Sequence, residues 1–297
     1  MPTRCYAVSS KVSPYPEMAL RPYRQLMLRS RRNLYSLFDG RHLTPRGDGG
    51  LEFREIREYQ PGDSPRRINW RATARSRRPV VNLTQPSRRL EAKLVYACGG
   101  SMAYGTLRPK HESAVELLTL LAGIAEASHD RIEALLYDDA ATRWLLSRRS
   151  RRVAETLYHT LAAHDPVGCG VSPRRCVETL LESFPRRSLL YLVGDFLEPW
   201  HLEELSARHE VILLILRDPG ELKPALLGRH RILDPVTGEI TELEIDTPAL
   251  RHYETQRRKR DLDFEAQLRR LGILHRTILN DEDPVDALAE LLRKGGA

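Results

Sequence analysis

The sequence predicts an α/β protein: a doubly wound, mainly parallel sheet preceded by an N-terminal helix and a small β-rich appendage. Three observations predict it. From about residue 91 onward, short apolar runs alternate with amphipathic helical stretches. Those runs are apolar throughout rather than at every second residue, so both faces of the strands must be covered, as helices joining parallel strands cover them. The stretch before them is broken by proline and glycine and carries two short strand patterns. At 297 residues the chain suits one large α/β domain with an appendage, or two small domains, and either can bury a sizeable core. A hydrophobic content of 41% excludes a disordered chain.

Residues 1–16 carry Pro and Ser without periodicity and are expected to form a loose tail. Leu20, Tyr23, Leu26 and Met27 share one helical face within 17–32. Pro45, Gly47, Gly49 and Gly50 then break the chain, and Leu51, Phe53, Ile56 and Tyr59 alternate loosely, as in a strand with an irregularity. A turn, QPGDSP, a short basic segment and a second strand, PVVNLTQ, complete the appendage, so the expected division is 1–16, 17–90 and 91–297. In the last part AKLVYAC, RIEALLY, RSLLYLVGD, EVILLILRD and ILHRTIL are the strand patterns. Ala114, Leu117, Leu118, Leu121, Ala122 and Ala125 recur on one helical face, as do Val153, Leu157, Thr160 and Leu161. ATRWLLS follows ALLYDD so closely that it is expected to pair antiparallel to it. RILDPVTGEITELEID predicts a hairpin around Thr237-Gly238, 250–271 a long charged helix, and 284–293 a closing helix.

Composition removes several classes of function. No apolar run approaches the ~20 residues that span a bilayer, and the first residues lack a signal-peptide core, so a cytoplasmic protein is expected. Cys5, Cys98, Cys169 and Cys176 never form C-x-x-C or stand near a histidine pair at metal spacing, which supports neither a disulfide framework nor a structural zinc site. A net charge of +7 and a pI near 9.4 raise nucleic acid as a partner. The runs RRSRR (148–152) and QRRKRD (256–261) nevertheless fit solvated helix faces, because no aromatic ladder accompanies them.

In doubly wound sheets ligands bind beyond strand ends, where strand order reverses. Two such ends are polar here, ACGGSMAYG and LVGDFLEP, which offer Ser101 and Asp195. Gly99-Gly100-Ser101-Met102-Ala103 approximates a G-x-S-x-G elbow, and Ser101, Asp195 and His275 fall in hydrolase order. A nucleophile elbow needs a helix starting at the serine to stabilise an oxyanion, but Gly105 and Pro109 postpone it, and His275 begins its strand at the opposite end of the sheet. Cys98, closing an apolar strand, reads as core.

The densest constellation is REIREYQPGDSPRRINWRATAR, with Arg57, Glu58, Tyr59, Pro61, Gly62, Asp63, Arg67, Trp70, Arg71 and Arg75. Pro61-Gly62-Asp63 makes a turn, Asp63 and Ser64 are placed to cap a short helix, and Arg67, Trp70, Arg71 and Arg75 follow in helical register. Either these residues form a polar seam, with Glu58 and Asp63 on the arginines, or they present Arg and Trp anchors to a partner.

These segments, with LVGDFLEP, LRDP, LDPVTGE and LRRLGILH in order, resemble the bacterial domain of unknown function 58 family, which carries a von Willebrand factor type A-like domain. The resemblance covers nearly the whole chain from about Ala19. Type A domains hold a divalent metal through D-x-S-x-S, a threonine and a later aspartate. Here Ala97 and Gly99 stand where the first acid and first hydroxyl are expected, Ser101 retains the second hydroxyl, and Asp195 matches the final aspartate. The loop 167–173 has no threonine, Ser172 being its nearest hydroxyl. One carboxylate and one hydroxyl are too few for tight Mg²⁺ ligation, so no cofactor is expected, or at most weak Mg²⁺ binding, and Asp138 and Asp139 read as turn residues. The resemblance implies a non-enzymatic assembly factor whose partner is a MoxR-type AAA+ ATPase. The chain has no phosphate loop of its own. The alternatives are a Mg²⁺- or Mn²⁺-dependent adhesion-like module and a basic nucleic-acid binder.

Overall fold

The computed structural model describes residues 51–60, 69–76, 78–86, 91–127, 130–146, 152–224 and 226–295. The expected helix within 17–32, and Pro61, Gly62, Asp63, Ser64 and Arg67, lie outside them. The chain splits into two compact units, one within 44–90 and one containing everything from Glu91 onward.

In the smaller unit β1 (Leu51–Glu58) pairs antiparallel with β2 (Val80–Pro86), and the register slips between Phe53 and Glu55, the irregularity that the loose alternation predicts. Between them α1 (Trp70–Ser76) is capped by Asn69, whose Oδ1 accepts the Ala72 N–H at 3.0 Å. The Asn69 N–H donates to the Val80 carbonyl at 2.9 Å, and the Val80 N–H to Thr73 Oγ1 at 3.1 Å, so the helix is tied to the start of β2.

The larger unit begins with β3 (Glu91–Ala97), α2 (Lys110–Ala127), β4 (Arg131–Tyr137) and β5 (Thr142–Leu146). It continues through α3 (Val153–Ala162), α4 (Pro173–Ser183), β6 (Leu189–Gly194), α5 (Glu203–Arg208) and β7 (Glu210–Arg217). After the single turn α6 (Pro219–Leu222) come the hairpin β8 (Gly228–Leu233) and β9 (Ile240–Ile245), then α7 (Thr247–Arg270), β10 (Leu274–Leu279) and α8 (Pro284–Gly295). Six strands form one sheet in the order β10-β7-β6-β3-β4-β5, parallel except for β5, which runs antiparallel to β4 as the short connection requires. Counted from its first strand, this is the doubly wound order 3-2-1-4-5-6.

Continuous apolar runs make these strands central. All six residues of β6 are buried, as are seven of the eight in β7. Val95, Ala97, Leu190, Leu192, Leu213 and Ile215 face α4, α5 and α7 through Val177, Leu180, Leu205 and Leu268. The other face is covered by α2, flanked by α3 and α8. The helical stripe of α4 is only three buried residues, Cys176, Val177 and Leu180, too short a signal to mark it in the sequence. Among the described residues no helix is long and apolar enough to cross a membrane.

Candidate functional site

The order of strands reverses between β3 and β6, and the carboxyl ends of these two strands deliver Ser101 and Asp195 to one crevice. The strands close tightly there. A Cβ on Gly194 would lie 3.2 Å from the Ala97 carbonyl oxygen, and Ala97 is itself buried. Ser101 stands in a single 3₁₀ turn, Gly100–Ala103, and α2 starts only at Lys110. The delay predicted from Gly105 and Pro109 is therefore present, and Ser101 is not at a helix N-terminus. Its Oγ donates to Asp195 Oδ2 at 2.5 Å, so it is committed to a carboxylate rather than an imidazole. His275, near the amino end of β10, lies at the opposite end of the sheet with Nδ1 3.0 Å from the Ile273 carbonyl.

The cation of this site is supplied by the chain. Lys110, the first residue of α2, is fully buried, and its Nζ lies 3.0 Å from the Asp195 Oδ2 that Ser101 also reaches. A second carboxylate, Glu221 Oε1, closes on the same ammonium. Glu221 is fixed by a capping box: its Oε2 accepts the Asp218 N–H at 3.1 Å while Asp218 Oδ1 accepts the Gly220 N–H at 2.7 Å. Asp218 further accepts the Thr106 N–H at 2.8 Å and the Thr106 hydroxyl at 2.5 Å. Burial alone would push the Asp218 carboxyl up, but the bonds from Thr106 and Gly220 outweigh it and hold the group below the usual carboxylate range. Arg217 donates to the Asp195 carbonyl and, at 3.1 Å, to Asp261, while Arg257 donates to the Glu221 carbonyl at 2.9 Å. The result is an alternating ion cluster in which an ammonium bridges two carboxylates where the resemblance leads one to seek a metal.

Backbone geometry aims these groups. Phe196, directly after Asp195, has φ +48, a conformation costly for an aromatic residue, on the order of 1–3 kcal/mol. The turn sends its ring into the core, 5.0 Å from Trp200 and 6.0 Å from Phe264, and leaves the Asp195 carboxylate in the crevice. Above Ser101 the hairpin turn sits on Gly100, where an added Cβ would meet the Pro235 carbonyl oxygen at 2.7 Å and Val236 Cγ2 at 3.0 Å. Gly100→Ala is therefore expected to lift that turn without touching the core. Hydrogen–deuterium exchange should show faster labelling of the Gly168 amide, which donates to Pro235 at 2.8 Å, with the β6 and β7 amides unchanged.

The remaining expected residues divide. Gly99 lies beside Ser101 and Val171, while the Ser172 amide donates to Asp139 at 2.9 Å and ties its loop to the end of β4. Asp138 is a turn residue, as read, its Oδ1 accepting the Ala140 and Ala141 amides at 2.8 and 2.7 Å. Asp139 also accepts the Tyr137 hydroxyl at 2.9 Å. In the appendage Trp70 is 70% exposed, so packing within its own unit does not hold it. Arg75 is exposed, Tyr59 half-buried, and a partner of Glu58 is Arg78 at 2.8 Å, an arginine outside the expected set. Backbones of Arg57 in β1 and Arg71 in α1 take their expected elements. Lys110 and Glu221 escaped the sequence reading although each carried a signal: six lysines stand among 47 basic residues, and D-P-G-E has capping-box spacing.

A second cluster adjoins the crevice. Cys98, at the end of β3, His164 and Cys169 bring their Sγ, ring nitrogen and Sγ within 4.8 Å of one another. Cys169 Sγ is 3.8 Å from His164 Nε2. A hydrogen bond from Cys98 lowers the Cys169 thiol, and burial lowers His164.

With the fold and crevice in view, the comparisons place the chain. The profile of the family described as "Protein of unknown function DUF58" matches residues 55–263. The chain belongs to this DUF58 family. An uncharacterized protein of Mycobacterium tuberculosis, Rv1480, is 32% identical over 235 residues, spanning 77% of this chain and 74% of that protein. An uncharacterized protein of Mycobacterium avium, MAV169, is 27% identical over 143 residues, 46% of this chain and 85% of its own. Among solved structures, the conserved hypothetical protein BatB from Bacteroides thetaiotaomicron aligns with a TM-score of 0.41 and 11% identity, covering 69% of this DUF58 chain and 98% of that one.

Proposed function

We propose that this DUF58 protein is a non-enzymatic, cytoplasmic assembly factor whose larger unit is a degenerate von Willebrand factor type A-like domain, and that it works with a MoxR-type AAA+ ATPase in maturing other complexes. The observation that carries the reading is the Lys110 ammonium between Asp195 and Glu221. The resemblance implies that a type A domain recruits a divalent ion to that crevice. A crevice whose cation is covalently attached and fully buried has no open coordination position to offer. Recognition then falls to the rim.

The rim suits a protein partner. Tyr104 and Leu107 follow β3, Leu197 follows β6, and Val167 and Val236 belong to the two loops over Gly99 and Gly100. All five are exposed, Leu107 by 80%. Large apolar side chains gathered around a neutralised ion cluster form a docking face for protein rather than phosphate. The doubly wound order with one antiparallel edge strand supports the type A-like assignment. The ATPase is inferred from the family resemblance.

Affinity capture from native lysate, with and without ATP, tests the role. An AAA+ ATPase is expected to co-purify in a nucleotide-dependent manner and to be lost on Leu107→Asp, which alters an exposed residue without touching the core. Capture of no AAA+ ATPase under either condition would overturn it. Titration calorimetry with Mg²⁺ and Mn²⁺ should give no binding heat at the Ser101–Asp195 crevice; a stoichiometric, tight response would favour the metal-dependent reading instead.

A further inference from the structure

Cys98 at the end of β3 meets His164 and Cys169 from one later loop, and the three belong neither to the ion cluster at Asp195 nor to the apolar rim. We propose that they form a binding site for a thiophilic divalent cation, with zinc as its representative, that clips the loop 164–169 to the end of β3.

The donor set selects the ion class. Two sulfurs and one imidazole nitrogen are borderline-soft ligands that suit zinc and disfavour magnesium or calcium, which seek oxygen. Geometry agrees. Zn–S and Zn–N bonds of about 2.3 and 2.0–2.1 Å in a tetrahedron imply ligand-to-ligand edges of roughly 3.4–3.8 Å. Cys169 Sγ and His164 Nε2 already stand 3.8 Å apart, and no pair among the three atoms exceeds 4.8 Å, so contraction on the order of an ångström closes the site. Three protein ligands leave a fourth position for water.

The hydrogen bond to Cys169 and burial push the Cys98 thiol up, so the ion must displace a firmly held proton there. Cys98 is fully buried on the floor of the cluster, while His164 and Cys169 are half-buried and leave entry from the loop side. Asp138, 3% exposed at the end of β4, acts electrostatically on all three, as does Asp165 on His164 and Cys169; Arg143 opposes them on those same two residues. Two thiolates would neutralise the incoming dication.

The site would have a mechanical consequence. The Cys169 carbonyl accepts the Gly100 N–H at 2.7 Å, and the Gly168 N–H donates to the Pro235 carbonyl, so the clipped loop touches both the Ser101 turn and the hairpin. Occupancy would thus fix the loop that presents Val167. A Cys98–Cys169 disulfide is the competing chemistry for the two sulfurs, but it would leave His164 without a role. The imidazole beside Cys169 is what favours a cation.

The full-length protein, reduced and chelator-treated, is titrated with Co²⁺ and then Zn²⁺. The expected result is one equivalent of Co²⁺ with a thiolate-to-cobalt charge-transfer band and d–d bands of tetrahedral intensity, bleached by Zn²⁺. Cys169→Ser and His164→Gln alter half-buried positions and should keep the circular dichroism of the parent. Each should weaken binding by more than the roughly 10–100-fold that loss of an outer-shell partner costs. Cys5→Ser should leave the bands unchanged. Absence of the charge-transfer band, full-strength binding by Cys169→Ser, or a Cys98–Cys169 disulfide in the mass spectrum of freshly isolated, unreduced protein would each overturn the proposal.

Discussion

Replacing Lys110 by methionine should lower the stability of the larger unit by about 3–5 kcal/mol, the cost of removing one partner from a buried ion pair. Methionine matches the length and flexibility of the lysine stem, so packing is nearly conserved and the charge is what changes. Asp195 and Glu221, each with a side chain 12% exposed, would be left without the ammonium that both contact. An exposed pair such as Arg174–Glu178 is worth no more than about 1 kcal/mol, so the two classes are separable by urea denaturation. Lys110→Ala goes further by opening space between the same carboxylates. Its melting temperature should rise with millimolar Mg²⁺ or Ca²⁺, because an ion that binds only the folded state stabilises it by mass action, while the parent should not respond. A Lys110→Met variant within 1 kcal/mol of the parent would mean that the ammonium does not hold the crevice together.

The sheet was legible because its physics is local. Strands that must be covered on both faces have to be apolar throughout, and residues 189–194 and 210–217 announce this without any knowledge of their neighbours. Ser101 and Asp195 were legible by a general rule about strand ends at a switch point. Their partners were not. Lys110 meets Asp195 across 85 residues and Glu221 across 111, and nothing in a single sequence says which of several acids a buried lysine will find. The same holds for Cys98, whose apolar strand gave it the look of core; it is buried, yet its sulfur lies beside two further donors from the loop before α4. That loop carries Pro166, Gly168 and Gly170 without periodicity, so its path is set by tertiary contacts such as Asp139 with the Gly170 carbonyl and Ser172 amide. At the appendage helix Asn69 caps the described turns, while Asp63 and Ser64 lie outside the described residues.

Acidification should destabilise the larger unit well before its carboxylates titrate, because two buried histidines are held neutral. His111 lies on α2 between Tyr96 and the Leu161 carbonyl, with Nδ1 2.8 Å from the Tyr96 hydroxyl and Nε2 3.0 Å from that carbonyl. The carbonyl can only accept, so Nε2 carries the proton and Nδ1 accepts from tyrosine. Burial lowers its pKa from 6.5 to about 4. His209, 2% exposed with neither ring nitrogen partnered among the described residues, is pushed down to about 4 by burial and then by Arg208, Arg187 and Lys93. Above pH 6.5 both rings are neutral in either state and cost nothing. Between 6.5 and 4 the unfolded chain takes up protons that the folded chain refuses, so stability falls as pH falls, by at most about 1.4 kcal/mol per pH unit for each ring. For His111 this amounts to about 3 kcal/mol by pH 4. Asp218 acts in a separate window: its lowered carboxyl adds stability above the unfolded-state value of about 3.9 that disappears only at lower pH. Urea midpoints measured from pH 7.5 to 4.5 should therefore drop steeply in the parent and less steeply in His209→Phe, which removes one titration from a buried ring with no hydrogen-bond partner among the described residues. If the two curves stay parallel across that range, His209 is not the group kept neutral by folding, and the acid sensitivity must reside in His111 or elsewhere.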